Sequence, residues 1–302
     1  MLTYTCAYYR YYYPLEFIAA YLNNAANEDD IINGTALARQ KGIKIIPPKF
    51  RYSRAKYSID KETNSIYKGV SSIKFLNEEC AEEMYALRGN QYETFTDLLI
   101  DLSKIKINSR QIEILIKLNF FSEFGRNDKL LKTFQAFNDW GDKKQIRKES
   151  LSEIPFNEDV IKANAKETAK LYKIDDMLPI IKEYETSLKD KNIPIKEQIT
   201  SEIGYFGYPV SRYKCDDELA ICIDINEKYS PKLSIYYLSS GETQVVKCYK
   251  KNLYNYDGTR YINEGTIFKV VDISWKPKKR KINNDWIELD ELEPILTKYQ
   301  II

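Results

Sequence analysis

Apolar residues recur at helical spacing through the first forty positions. Tyr4, Ala7, Tyr8, Tyr11 and Tyr12 fall three or four apart. Pro14 suits the first turn of a second helix, LEFIAAYLNN, because the N–H it lacks would be unbonded there in any case. A third helix, EDDIINGTALARQKG, is expected to close at Gly42. IKII then reads as a strand entering Pro47 and Pro48. Residues 52–68 read as a short hairpin, KYSID and SIYKG around a polar turn.

The most patterned stretch runs from Ile66 to Gly125. It reads as two small helical hairpins in tandem, IYKGVSSIKFLNEECAEEMYALR and INSRQIEILIKLNFFSEFGRN. In each, a short polar turn interrupts the helical pattern where the backbone needs a left-handed residue. Hairpins of this kind point backbone N–H groups at nucleic-acid phosphates and not at bases, so the pattern predicts DNA binding without sequence preference. The helix LLKTFQAFNDW is expected to pack beneath them. From Gly141 to about Pro194 the chain is charged and helix-prone, a linker carrying helices, with apolar residues at helical spacing in KLYKIDDMLPIIKEYETSL. EIGYFGYPV, from Glu202 to Val210, is rich in turn residues.

From Lys214 the texture changes to short β segments: LAICIDI, KLSIYYL, TQVVKCYKKNL, GTIFKVVDISW and DWIELDEL. Turns such as Ser239-Ser240-Gly241 and Asp257-Gly258 separate them. Five short strands suit a small barrel, with an OB-like fold as the leading choice. The expected class is therefore α+β and multidomain: a helical N-terminal half with tandem helix-hairpin-helix motifs, and a C-terminal small β-barrel. The expected parts are residues 1–50, 51–140, 141–213 and 214–302.

Composition narrows the chemistry. A length of 302 residues suggests about two domains with room for smaller modules. A net charge of +2 means that any nucleic-acid surface is a local patch. The absence of histidine excludes Ser-His-Asp and Cys-His catalysis and His-ligated zinc. Cys6, Cys80, Cys215, Cys222 and Cys248 are odd in number and form no CxxC pair, so they read as free thiols in a reducing compartment. There is no apolar run of about 20 residues and no basic segment leading into an apolar core at the N-terminus, so neither a membrane span nor a secretory signal is expected. The expected location is the cytoplasm of a bacterium, or of the host if the chain is phage-encoded.

TYTCAYYRYYYPLEFIAAYLNN resembles the end of the fingers in the alpha subunit of bacterial DNA polymerase III, the C-family replicative polymerase. Tyr4, Ala7, Tyr8, Arg10, Tyr13, Pro14, Glu16 and Phe17 fall on that family's pattern. ARQKGIKIIPPKFRYSRAKYSID, KGVSSIK and NSRQIEILIKLNFFSEFG continue the likeness in order and spacing. It spans residues 3–126, is loose at EIGYFGYPV, and is architectural only in the β region. Two departures stand out. The family's Gly-Val-Gly turn is Phe75-Leu76-Asn77 here, and the second hairpin's glycine is Asn119. Asparagine tolerates the left-handed region better than other non-glycine residues. Met1 falls inside what the family builds as a long fingers helix. The palm, with its three catalytic aspartates, and the thumb are therefore expected to lie outside this sequence, and no Asp-x-Asp motif replaces them.

The resemblance implies grip, not chemistry. Ser71, Ser72, Lys74 and Asn77 around the first turn, and Asn108, Ser109 and Arg110 before the second, would hold duplex phosphates. Ser71 and Asn108 read equally well as helix caps, whereas the family pattern places cations at Lys74 and Arg110. Arg10 lies where the family carries a lysine near the nucleotide-facing fingers helix. No catalytic residue, metal site or cofactor is expected in this chain, and Mg2+ would belong to the missing palm. In WKPKKRKINNDW, Lys276, Lys278, Lys279, Arg280 and Lys281 crowd one hairpin. With Lys247, Tyr249, Lys250 and Lys251 they suit a groove for single-stranded template, the plainer alternative being a solvated loop. Tyr236, Tyr237 and Trp275 either stack on bases or point into the core.

QAFNDW at Gln135 is a weak match to the family's sliding-clamp peptide and reads better as a buried helix face, which leaves clamp binding open. The expected partners are double- and single-stranded DNA and a palm-bearing polymerase chain, with no membrane; the sliding clamp has no clear motif here. The expected function is the DNA-binding C-terminal part of such a polymerase, inactive alone. The alternative is a stand-alone accessory module derived from it. An exposed apolar face on residues 1–24 would favour the first, and a polar-faced N-terminus the second.

Overall fold

A computed structural model describes residues 2–228, 230–282 and 285–302; the side chains of residues 2, 3, 28, 29, 32, 280–282, 285 and 286 lie outside the description. The chain divides into two compact units, Met1–Ile193 and Pro194–Ile302. Among the described residues no helix is long and apolar enough to cross a membrane.

The first unit opens with helices α1 (Leu2–Tyr12), α2 (Pro14–Asn23) and α3 (Glu28–Gln40). Pro14 occupies the first turn of α2, as its fixed φ favours. Leu15, Ile18, Ala19 and Leu22 of α2 recur along one face and are buried with Ala38 of α3, Ile43 and Ile66. Asn27 caps α3 by accepting from the Asp30 N–H, and Gly42 leaves the helix with a φ of +68°. Strands β1 (Lys44–Ile46), β2 (Ser58–Asp60) and β3 (Ser65–Tyr67) form a sheet in the order β1-β3-β2, with left-handed Asn64 turning β2 into β3.

Past this sheet the chain makes one 3-10 turn, Val70–Ser72, then α4 (Glu78–Ala86), α5 (Phe95–Leu102), α6 (Ser109–Lys117) and α7 (Asn127–Trp140). Gly69 starts this run against the backbone of the preceding loop. A Cβ there would stand 2.4 Å from the Ala55 carbonyl oxygen and 2.7 Å from the Lys56 carbonyl carbon. Backbone cannot step aside as a side chain can. Gly69→Ala is therefore expected to cost about 1–3 kcal/mol, measurable as a lower midpoint in urea. An unchanged midpoint would show that the loop gives way.

Residues 141–213, expected as a helical linker, divide between the units. The first part holds β4 (Gln145–Arg147), α8 (Glu158–Ala163), β5 (Ala165–Glu167), β6 (Leu171–Ile174) and α9 (Leu178–Ser187), with an antiparallel sheet in the order β4-β6-β5. Ile146, Tyr172, Ile174, Met177, Ile180 and Ile181 form a core there with Ala136 of α7. Strands of three or four residues are too short for an alternation to show against a lysine- and glutamate-rich background.

The second unit begins with α10 (Ile195–Phe206), followed by β7 (Leu219–Asn226), β8 (Lys232–Tyr237), β9 (Thr243–Cys248), α11 (Lys250–Leu253), β10 (Ile267–Ile282) and β11 (Asp285–Ile301). The five strands bond in the order β10-β11-β9-β8-β7, and β7 pairs back to β10 through Ile221 and Ile267, closing the sheet into a ring. The β9–β11 pair is parallel and the other pairs antiparallel. Ala220, Cys222, Leu233, Ile235, Val246, Phe268 and Leu296 fill the inside. Tyr236 is 1% exposed and its hydroxyl donates to the Ser211 carbonyl at 2.8 Å, so it is a core residue and not a base-stacking one. Tyr237 is half-buried, and Trp275 is 57% exposed. Beyond the ring, β10 and β11 continue together as a two-stranded ribbon as far as Ile282 and Asp285.

Candidate nucleic-acid interface

The first hairpin turn is closed by Phe75, which adopts a left-handed φ of +72°. Asn77 caps α4, its Oδ1 accepting from the Cys80 N–H at 2.8 Å. Ser71 Oγ donates to the Ala55 carbonyl at 2.5 Å and Ser72 Oγ to the Gly69 carbonyl at 2.6 Å. Both hydroxyls are thus turned onto neighbouring backbone and brace the turn. Lys74 is exposed and makes no ion pair among the described residues.

At the start of α6, Asn108 and Gln111 form a reciprocal capping box, each side chain accepting from the other's N–H at 3.0 Å. Ser109 and Arg110 are exposed in its first turn. Two contacts then join this helix start to the first turn. The Arg110 guanidinium lies 4.1 Å from the centre of the Phe75 ring, and Gln111 Nε2 donates to the Phe75 carbonyl at 2.9 Å. Lys74, Asn77, Ser109 and Arg110 therefore share one surface, although some thirty residues separate the two groups in sequence.

The turn between α6 and α7 is closed by Asn119 at φ +58°. Lys49 holds it: its Nζ donates to the Asn119 carbonyl at 2.8 Å and to Ser122 Oγ at 2.7 Å. Burial pushes the Lys49 ammonium below its ordinary range. The Phe50 N–H donates to the Phe120 carbonyl at 3.1 Å beside it. Sequence reasoning missed Lys49; the only signal was a cation next to the buried aromatic of the PPKF run. Arg10 lines a cavity of about 330 Å³ with Phe17, Tyr21 and Asn33. In QAFNDW, Gln135 is exposed on α7 while Phe134 and Ala136 are buried.

In the second unit, a groove of about 870 Å³ gathers Lys247, Tyr249, Lys276, Lys278 and Lys279, as the sequence suggested. It adds Lys228 and Lys232, which the sequence reading did not single out. Lys276 Nζ stands 5.8 Å from the centre of the Tyr249 ring. Lys250 is exposed on α11 and does not line the groove. The side chains of Arg280 and Lys281 lie outside the described residues. Three of the groove lysines are paired: Lys247 with Glu293 at 2.8 Å, Lys278 with Glu291 at 2.5 Å and Lys279 with Glu288 at 3.0 Å.

A family model described as a helix-hairpin-helix motif matches residues 42–131. The DNA polymerase III alpha subunit of Campylobacter jejuni is 30% identical over 135 residues, covering 43% of this chain and 11% of the relative. Those of Thermus aquaticus and Bacillus subtilis are 29% and 28% identical, covering 46% and 40% of this chain and 12% and 11% of the relatives. The chain spans only about a tenth of the length of these relatives. It contains a helix-hairpin-helix region, and over 40–46% of its length it is homologous to part of the DNA polymerase III alpha subunit.

Proposed function

We propose that this chain is a DNA-gripping part of a DNA polymerase III alpha-like replicative polymerase, holding duplex phosphates with the helix-hairpin-helix surface and single-stranded template with the β unit. The observation that carries the reading is the junction of Phe75 with Arg110 and Gln111. It joins the first hairpin turn and the start of α6 into one exposed surface bearing two cations and a capped helix start, which suits backbone contacts spaced along a duplex.

The OB-like reading of the second unit is supported by three features: the closed strand order, the parallel β9–β11 pair, and α11 placed between β9 and β10. The groove lies between the β7–β8 loop and the β10–β11 ribbon, the two connections with which such folds hold oligonucleotides. Polymerisation would need carboxylate-bound Mg2+ supplied by a palm-bearing partner. Helix α1 favours that arrangement over a stand-alone accessory module. Tyr4, Tyr8, Tyr9, Tyr11 and Tyr12 are all exposed on it, an aromatic surface that the rest of a polymerase would cover.

The test is binding to a primed template with a single-stranded overhang across a salt series. Affinity is expected to fall steeply with salt and to show little sequence preference. Lys74→Glu with Arg110→Glu is expected to weaken duplex binding about tenfold or more and to flatten the salt dependence by about two phosphates' worth. Lys232→Glu with Lys276→Glu should chiefly lose the overhang. No binding at low salt would defeat the proposal.

A further inference from the structure

We infer that β11 supplies the groove with built-in counter-anions: Glu288, Glu291 and Glu293 hold lysines that a bound strand would use, so that affinity is set by the first contact and rises little with strand length. The inference rests on the single-strand reading of the β unit and concerns how that site selects its ligand.

The charges along the ribbon are segregated. Strand β10 carries Lys276, Lys278 and Lys279, and β11 carries Glu288, Asp290, Glu291 and Glu293. The register sets Lys279 opposite Glu288 and Lys276 opposite Glu293. Glu293, however, turns to Lys247 of β9 at 2.8 Å, on the floor of the groove. Lys278 and Lys279 take Glu291 and Glu288. Lys232 and Lys276 have no ion pair among the described residues, and Lys276 stands over Tyr249. Exposed ion pairs add little to a fold and are screened by salt. Pairing within the ribbon would account for Glu288 and Glu291. It does not account for Glu293, which bonds away from the ribbon to a lysine of the closed ring.

Binding would therefore proceed unevenly along a strand. A first nucleotide meets Lys232, Lys276 and the Tyr249 ring without displacing an anion. Each further phosphate must replace a carboxylate, exchanging one anion for another at little net gain. A short strand gains little beyond its first contact. A long strand gains little more, because each tethered phosphate still competes with a carboxylate that the chain itself holds beside the lysine.

The experiment measures binding of the full chain to oligothymidylates of about 5 and about 20 nucleotides, one near the lower limit of what one such fold covers and one beyond its upper limit. The triple variant Glu288→Gln, Glu291→Gln, Glu293→Gln is expected to bind the long strand about tenfold tighter and the short strand by a smaller factor, so a preference for length emerges. The single variant Glu291→Gln, at an exposed pair where folding is not at stake, should tighten the long strand about twofold. An unchanged length preference in both variants, with the parent binding both strands, would overturn the inference and leave the single-strand reading standing. If neither the parent nor the triple variant binds either strand, both fail together.

Discussion

Glu185→Ala is expected to lower the melting temperature of the first unit by roughly 10 °C. Glu185 is 4% exposed on α9. Its carboxylate accepts from the Phe95 N–H at 2.8 Å, the Thr96 N–H at 2.9 Å and the Thr96 hydroxyl at 2.7 Å. These two N–H groups belong to the first turn of α5, which has no partners of its own for them. The residues that carry them, Phe95 and Thr96, are themselves fully buried, so water cannot take the place of the carboxylate. Removing it strands three donors in the interior, at a cost of about 3–5 kcal/mol. At about 2–4 °C per kcal/mol for a unit of this size, that gives the expected shift. Three positions earlier on α9, Lys182 pairs with Asp97 at 2.5 Å, so one helix brings an anion and a cation to the same helix start. Glu185→Gln keeps one acceptor but sets an amide N–H2 against a donor, and should cost about half as much. Circular dichroism melts decide the matter: a shift below about 2 °C for the alanine variant would mean that the α5 start finds other partners.

Glu202→Ala should have an effect of similar size in the second unit, with a local signature. Glu202 is 2% exposed on α10. It accepts from Gln198 Nε2 at 2.8 Å, from the Val210 N–H at 2.6 Å, from the Ser211 N–H at 2.9 Å, and from the Ser211 hydroxyl. The Ser211 carbonyl in turn accepts from Tyr236. Burial, with the nearby Glu202 charge adding to it, pushes the Tyr236 phenol up to about 12. One carboxylate thus fastens the loop after Gly207 to both α10 and the closed sheet. Without it the loop loses three bonds and about 3 kcal/mol. Hydrogen exchange at the Val210 and Ser211 amides should accelerate by about two orders of magnitude, while the melting of the first unit stays in place. Unchanged protection at those two amides would show that the loop is held by other means.

The parts of this molecule that were legible in the sequence are those written in local signals. Pro14 and Asn108 mark helix starts and Gly42 a helix end, and each acts within a few residues of itself. The groove was legible because its lysines cluster in two short runs that the sheet brings together. Features made by long-range contacts were not. Glu185 reaches α5 across about ninety residues, and Lys49 reaches Asn119 across seventy. Each reads as an ordinary charged residue in its own neighbourhood. Lys228 and Lys232 escaped notice because they stand apart from the basic runs. Ser71 and Ser72 were singled out for phosphates, but their hydroxyls bond the Ala55 and Gly69 carbonyls, and a hydroxyl gives no sign of which backbone it will bond. Alternation alone left Tyr236 open between a stacking and a core role; its bond to Ser211 settles the matter.

Phe75 and Asn119 close their turns in a conformation that glycine enters freely and other residues enter at a cost. A glycine would bring a larger population of open shapes to the unfolded chain, all of which folding would have to discard. With a bulky residue at the corner, the open shapes are fewer and the closed one is stiffer. A stiff corner, tied by Gln111 to the next helix, works less like a clamp that adapts to its cargo than like a gauge of fixed opening. A duplex whose phosphate spacing departs from that opening would have to deform to fit it.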